Sequence, residues 1–194
     1  MNSISPNWPM YFSEMLHTVN KKNNIGIVTL WAKKEHYIEK LDSSLYNTIG
    51  QLYSREEGLS VFIRNLLANK NIRHIVMVGV DLNHCSDALR CFFENGINEK
   101  NEVKNCPYYS KIDDEISKEA IENLRKNVKF HDLTKIKDCE KINEYLKKLE
   151  KKQAYGKFET FKETEIKIPE IFPSEHTGFK VSGKYICDVW IDIL

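Results

Sequence analysis

Two short segments leave this chain few folds to choose from. IGIVTLW, residues 25–31, and RHIVMVGV, residues 73–80, are β-branched and apolar almost without interruption. A strand with one face in water alternates apolar and polar residues, so a strand apolar on both sides must be covered on both sides. Between the two, in REEGLSVFIRNLLANKNI, Leu59, Phe62, Ile63, Leu66 and Leu67 recur at i, i+3, i+4, i+7 and i+8, one stripe along a helix. Strand, helix and strand in that order predict a parallel pair joined by a crossover helix, and hence a sheet packed between helices.

The rest of the chain extends the pattern. LYNTIGQLYS predicts a strand ending near Gln51, and VKFHDL another from residue 128. SDALRCFFENG predicts a helix with Ala88, Leu89, Phe92 and Phe93 inward and Gly96 as its C-cap. DDEISKEAIENLRKN presents Ile116, Ala120, Ile121 and Leu124 on one side, and DCEKINEYLKKLEKK presents Ile142, Tyr145, Leu146 and Leu149. Met10, Met15, Leu16 and Val19 predict a short amphipathic helix near the start, and KKEHYIEKLD a brief helix or structured loop. The expected architecture is α/β: a doubly wound, mainly parallel, Rossmann-like sheet over residues 1–152. From 153 to 194, Pro169, Pro173 and mixed apolar and charged residues predict an extended arm, a short strand GFKV and a terminal helix from about Lys184. Ile186, Val189, Trp190, Ile193 and Leu194 make that helix apolar to the last residue, which suggests a partner face or a continuing chain.

Composition removes several function classes. Twenty-nine Lys and Arg against 28 Asp and Glu give a net charge of +1, too little to draw the protein to nucleic acid or an anionic membrane. Cys85, Cys91, Cys106, Cys139 and Cys187 are odd in number and contain no C-x-x-C pair, which argues against a disulfide framework or a structural zinc site. No signal-peptide layout and no membrane-length apolar run is present, so a reducing, cytoplasmic setting is expected. The phosphate-binding G-x-x-x-x-G-K-[ST] and G-x-G-x-x-G loops, H-E-x-x-H and G-x-S-x-G are all missing.

What remains is a pair of polar loops at expected strand ends, where open α/β sheets bind ligands. After the strand at 73–80 comes DLNHCSDAL: Asp81 and Asn83 suit hydrogen bonds to a heterocycle or ribose, and Ser86 or Asp87 is placed to cap the next helix. The bland reading of the same loop is that Asp81 and Asn83 are turn formers and His84 is solvated. GQLYSREEG places Gln51, Tyr53, Ser54 and Arg55 before a helix N-terminus, a natural seat for an anion, although Ser54 also suits a simple cap. Trp31 is available to stack on a ring or to fill the core. Arg64, within the helix, is expected in a surface salt bridge.

IGQLYSREEGLSVFIRNLLANKNIRHIVMVGVDLNHCSDAL followed by FFENGI resembles the N-terminal domain that precedes the catalytic core in archaeal-type thymidylate synthases. It is similar, more distantly, to the A subunit of tetrahydromethanopterin S-methyltransferase. NLLANKNIRHIVMVG and ENGI are shared with both, and the similarity covers about residues 25–150. PSEHTGFKVSGKYICDVWIDIL resembles the junction leading into the synthase core. The first resemblance implies an accessory domain of one-carbon metabolism that binds a reduced folate, tetrahydromethanopterin or a nucleotide, or docks the catalytic core. Trp31, Gln51, Tyr53, Ser54, Asp81, Asn83 and His84 are then the expected ligand-binding residues, with no metal. The second implies a corrinoid-binding methyl-transfer module with His84 near the position of the cobalt ligand, in a loop one residue shorter. A third reading is an interaction domain that self-associates through Trp190, Ile193 and Leu194.

Overall fold

In the computed structural model, which describes residues 2–162, five strands form one sheet. They are β1 (His17–Thr18), β2 (Ile25–Val28), β3 (Thr48–Gly50), β4 (His74–Met77) and β5 (Lys129–Asp132), in the spatial order β1-β3-β2-β4-β5. The last four run parallel, and β1 adds one antiparallel edge. Every residue of β2 and β4 is buried, as their apolar runs require, and His74, the one polar side chain among them, is buried with hydrogen-bond partners.

Five helices pack on this sheet among the described residues: α1 (Lys34–Ile38), α2 (Glu57–Leu67), α3 (Cys85–Asn95), α4 (Lys118–Asn127) and α5 (Cys139–Lys148). Side-chain alternation along β4 sorts them. Ile75 and Met77 join Leu59, Ile63, Leu89, Phe92, Ile121 and Leu124 of α2, α3 and α4 in one core. Val76 and Val78 join Tyr37 of α1 and Ile142 and Leu146 of α5 in the other. The helix at 57–67 and Gly96 as the C-cap of α3, at φ 72°, are as the periodicity predicts. Ser117 and Asp138 cap α4 and α5 by accepting from Ala120 N and Glu140 N.

Two local expectations are corrected. Residues 10–19 hold a 3₁₀ turn at Ser13–Met15 and then β1, not an α-helix. Their backbone groups are taken elsewhere: Asn65 Oδ1 accepts from Met10 N (2.8 Å) and Tyr11 N (3.2 Å), and its Nδ2 donates to the Tyr11 carbonyl. Arg64 is not on the surface. Its side chain is 1% exposed, pairs with Asp113 and Glu115, and donates from Nε to the Phe161 carbonyl (2.8 Å). The first compact unit runs to Lys162, and residues after Gln153 hydrogen-bond back to it through Tyr155 N to Lys70 O and Glu159 N to Leu67 O. The expected short strand, the terminal helix and Trp190, Ile193 and Leu194 lie outside the described residues.

Strand order decides where loops meet. The chain leaves β2 toward β3 on one side, then crosses to β4 on the other. The loops after β2 and β4 therefore diverge from a shared point at the carboxyl edge, which is where ligands of open parallel sheets bind.

Candidate functional site at the carboxyl edge of the sheet

The loop after β4 is held from within. Asp81 turns its carboxylate on the start of α3, accepting from Asn83 N (3.1 Å) and Cys85 N (3.2 Å) on Oδ1 and from Ser86 N (2.7 Å) on Oδ2. Asp81, rather than Ser86 or Asp87, thus satisfies the free N–H groups of the helix. Burial alone would raise its pKa, but the hydrogen bonds from Ser86, Asn83 and Cys85 outweigh that and hold it below the ordinary aspartate value. Gly79, at φ +88°, lets the loop close against β2: a Cβ there would lie 2.5 Å from the Thr29 carbonyl oxygen and 2.7 Å from Ala32 Cβ.

Asn83 is engaged at both ends. Arg55 Nη1 donates to its Oδ1 (2.7 Å) and carbonyl (3.1 Å), and its Nδ2 donates to the Tyr53 carbonyl (3.1 Å). Arg55 also reaches the Tyr109 carbonyl from Nε (3.3 Å) and lies over the Tyr108 ring (5.8 Å). This one guanidinium joins the loops after β3 and β4 to the 97–113 segment.

His84 stands at the crest of the loop. Its backbone is left-handed, φ 58°, and its side chain is 47% exposed. Tyr108 stacks on the imidazole with ring centres 3.5 Å apart and planes 17° from parallel. Nδ1 lies 3.3 Å from Asp87 Oδ2, and Nε2 has no hydrogen-bond partner among the described residues.

Beside it lies an apolar surface. Trp31 and Tyr53 meet edge to face at 5.1 Å, and Trp31 N donates to the Val80 carbonyl. Trp31, Tyr53, Val80, Leu82 and Tyr109 are all exposed, Leu82 at 72%. Side chains of this size are normally withdrawn from water, and their gathering at one edge marks a contact surface.

All seven residues expected from the sequence stand on this edge, and six are linked by the contacts above or by Gln51 Nε2 donating to the Ala32 carbonyl (3.0 Å). Ser54 sits apart, and the one hydrogen bond of its side chain among the described residues is accepted from Glu56 N (3.3 Å). Sequence reasoning passed over Tyr108 and Tyr109 and gave Arg55 a different task. The one signal was an aromatic pair after Cys106-Pro107 in a polar stretch. Burial and then the Asp81 carboxylate push the Cys85 thiol up to about 12, so it is not a nucleophile at neutral pH. No group of three His, Cys, Asp or Glu among the described residues is arranged to hold a metal ion by itself, and no helix among them is long and apolar enough to cross a membrane.

A family model described as the A subunit of tetrahydromethanopterin S-methyltransferase matches residues 2–170. A protein of Methanosarcina acetivorans, named as the A subunit of a putative methyltransferase Mtx, is 24% identical over 144 residues, covering 73% of this chain and 70% of that protein. Both fall on the methyltransferase side of the two resemblances. Neither supports an accessory role in thymidylate synthesis or docking to a thymidylate synthase core.

Proposed function

We propose a methyl-transfer role from one premise: the chain belongs to the family of the tetrahydromethanopterin S-methyltransferase A subunit. In this reading it is a cofactor-holding component of a methanopterin-linked methyl-transfer assembly, built on a doubly wound, Rossmann-like sheet. The carboxyl edge between β2 and β4 holds a corrinoid, and His84 offers Nε2 to its cobalt.

The observation that carries this is His84 itself. Its imidazole is raised on a left-handed residue, one nitrogen is turned to Asp87, and the other has no partner among the described residues and lies beside an apolar surface. A neutral imidazole with its second nitrogen held by a carboxylate is the usual form of a metal-binding histidine. A corrinoid held there would supply a cobalt centre that takes up and gives off a methyl group. The chain's own part is to hold and orient: Trp31, Tyr53, Val80 and Leu82 cover apolar ring surface, and Arg55 and Asp81 keep the loops in place.

The polar side chains argue against reading a small pterin by hydrogen bonds. Asp81 and Asn83 are spent on the protein's own backbone and on Arg55, and Gln51 gives its amide N–H to the Ala32 carbonyl. A broad flat ligand that needs surface more than donors fits such an edge better.

The test is spectroscopic. Full-chain protein mixed with hydroxocobalamin should take it up and change its visible spectrum, and His84→Ala should lose that change. No uptake at high micromolar corrinoid overturns the assignment. Thermal stabilisation by a reduced pterin without corrinoid uptake would move the site to the pterin instead.

A further inference from the structure

His84 does not stand alone. His84 immediately precedes α3, and Asp87 and Arg90 follow at three-residue steps within its first turns. Asp87 gives Oδ2 to His84 Nδ1 (3.3 Å) and Oδ1 to Arg90 Nη1 (2.9 Å). Arg90 Nη2 in turn donates to Asp132 Oδ2 (2.7 Å), at the carboxyl end of β5. Asp132 is itself fixed, because Thr134 donates to Oδ1 from its backbone N (3.0 Å) and its hydroxyl (2.6 Å). The row runs from the crest of the loop after β4 to the end of the neighbouring strand.

These groups are too exposed for the row to exist for stability. The side chains of Asp87, Arg90 and Asp132 are 29–37% exposed, and ion pairs so close to water contribute little. Direction is what the row provides. A carboxylate only accepts, so an imidazole nitrogen turned to it must carry the proton. With Nδ1 protonated, the lone pair of a neutral His84 is on Nε2, the nitrogen without a partner among the described residues. Arg90 occupies the other carboxylate oxygen and stops Asp87 from turning away.

We infer that Asp87, braced by Arg90 and Asp132, is a positioning residue that fixes the tautomer and orientation of His84 so that Nε2 faces outward as a ready ligand. The tautomer belongs to the protein alone. Its use as a metal ligand rests on the proposed function.

The two are separable in one experiment. In ¹⁵N-labelled full-chain protein at alkaline pH, where imidazole is neutral, the long-range ¹H–¹⁵N spectrum reports which ring nitrogen carries the proton. His84 is identified by the signal lost in His84→Ala. Wild type should show the Nδ1–H form. Asp87→Asn, whose amide is able to donate, should shift His84 toward Nε2–H, and Arg90→Gln should give a smaller shift in the same direction. Should Asp87→Asn not fold by circular dichroism, Arg90→Gln still decides.

The inference is overturned if wild-type His84 carries its proton on Nε2, or if the folded variants leave the tautomer unchanged. In parallel, Asp87→Asn should weaken hydroxocobalamin binding about 10- to 100-fold. A tautomer that moves in protein taking up no corrinoid supports the positioning role and removes the cofactor reading. Corrinoid uptake that needs His84 but ignores Asp87 does the reverse.

Discussion

The two ends of the sheet treat their difficult side chains in opposite ways. At the amino edge, groups that normally seek water are drawn in, and most are matched, the buried Tyr155 hydroxyl being an exception. Lys70, 1% exposed, places Nζ 2.6 Å from Glu159 Oε1 and over the Tyr155 ring. Asn24 exchanges two hydrogen bonds with the Lys152 backbone, and Arg73 donates to the Gln153 carbonyl. His74 bridges the Glu150 carbonyl and His131, and His131 in turn meets the Tyr145 hydroxyl. At the carboxyl edge the mismatch is reversed, with Trp31, Tyr53, Val80 and Leu82 left in water. One edge is closed by the chain's own residues 150–162; the other leaves large apolar side chains exposed among the described residues.

The sharpest attack on that contrast is Gly79→Ala, because Gly79 is a rigid point on the otherwise open edge. A Cβ would press on backbone as well as on Ala32, at a φ that favours glycine. Strain and overpacking together should cost about 3 kcal/mol, read as a lower urea midpoint. An unchanged midpoint would show that the loops after β2 and β4 are not closely joined.

On the amino edge, Glu159→Ala leaves the buried Lys70 cation without its partner. Breaking a fully buried pair costs about 3–5 kcal/mol. Glu159 is partly open to water, so about 2 kcal/mol is expected here. Lys70→Met, which removes the charge and keeps most of the volume, should cost less than Glu159→Ala. The reverse order would mean that the pair, not the burial of the cation, dominates.

The histidine pair gives the same edge a pH dependence. Burial, then His74 and Lys129, lower the pKa of His131 to about 4, and burial lowers that of His74. The unfolded chain therefore takes up protons first as pH falls below about 6.5. Stability is fully present above that value and is lost toward pH 4, because the unfolded state binds more protons throughout the window. Between pH 7 and pH 5 the loss should be about 2 kcal/mol, and His131→Phe should reduce it. A flat stability profile would mean that the pair accepts a proton without disruption.

How much of this was legible in the sequence depends on the range of the interactions. Helices α2 to α5 and strands β2 and β4 follow from periodicity within a dozen residues, since each element buries one stripe or both faces. The edge residues Trp31, Tyr53, Asp81, Asn83 and His84 were visible for the same reason, each following a strand. The apolar spacing of the 10–19 segment is helical, and it misleads because the segment's backbone partners belong to Asn65, more than 50 residues away. The partners of Arg55 and Tyr108 were hidden in the same way: Arg55 meets Asn83, 28 residues on, and Tyr108 meets His84, 24 residues back. The spacing of Asp87 and Arg90 is plain in the sequence, but Asp87 reads there as a helix cap, a place that Asp81 fills in the fold.

The smallest expected effect sharpens the contrast most. Leu82 is 72% exposed, so Leu82→Ser removes almost no buried apolar area and should change stability by less than about 0.5 kcal/mol. The same substitution should weaken hydroxocobalamin uptake measurably, because apolar surface there contributes only when a ligand covers it. If Leu82→Ser lowers the urea midpoint instead, the residue is packed against something in the free protein and the carboxyl edge is not open. If neither stability nor uptake responds, the apolar surface is not where the ligand lies. Leu82 would then belong to a contact with a partner protein, and the search for the cofactor would narrow to His84 and the Trp31–Tyr53 pair.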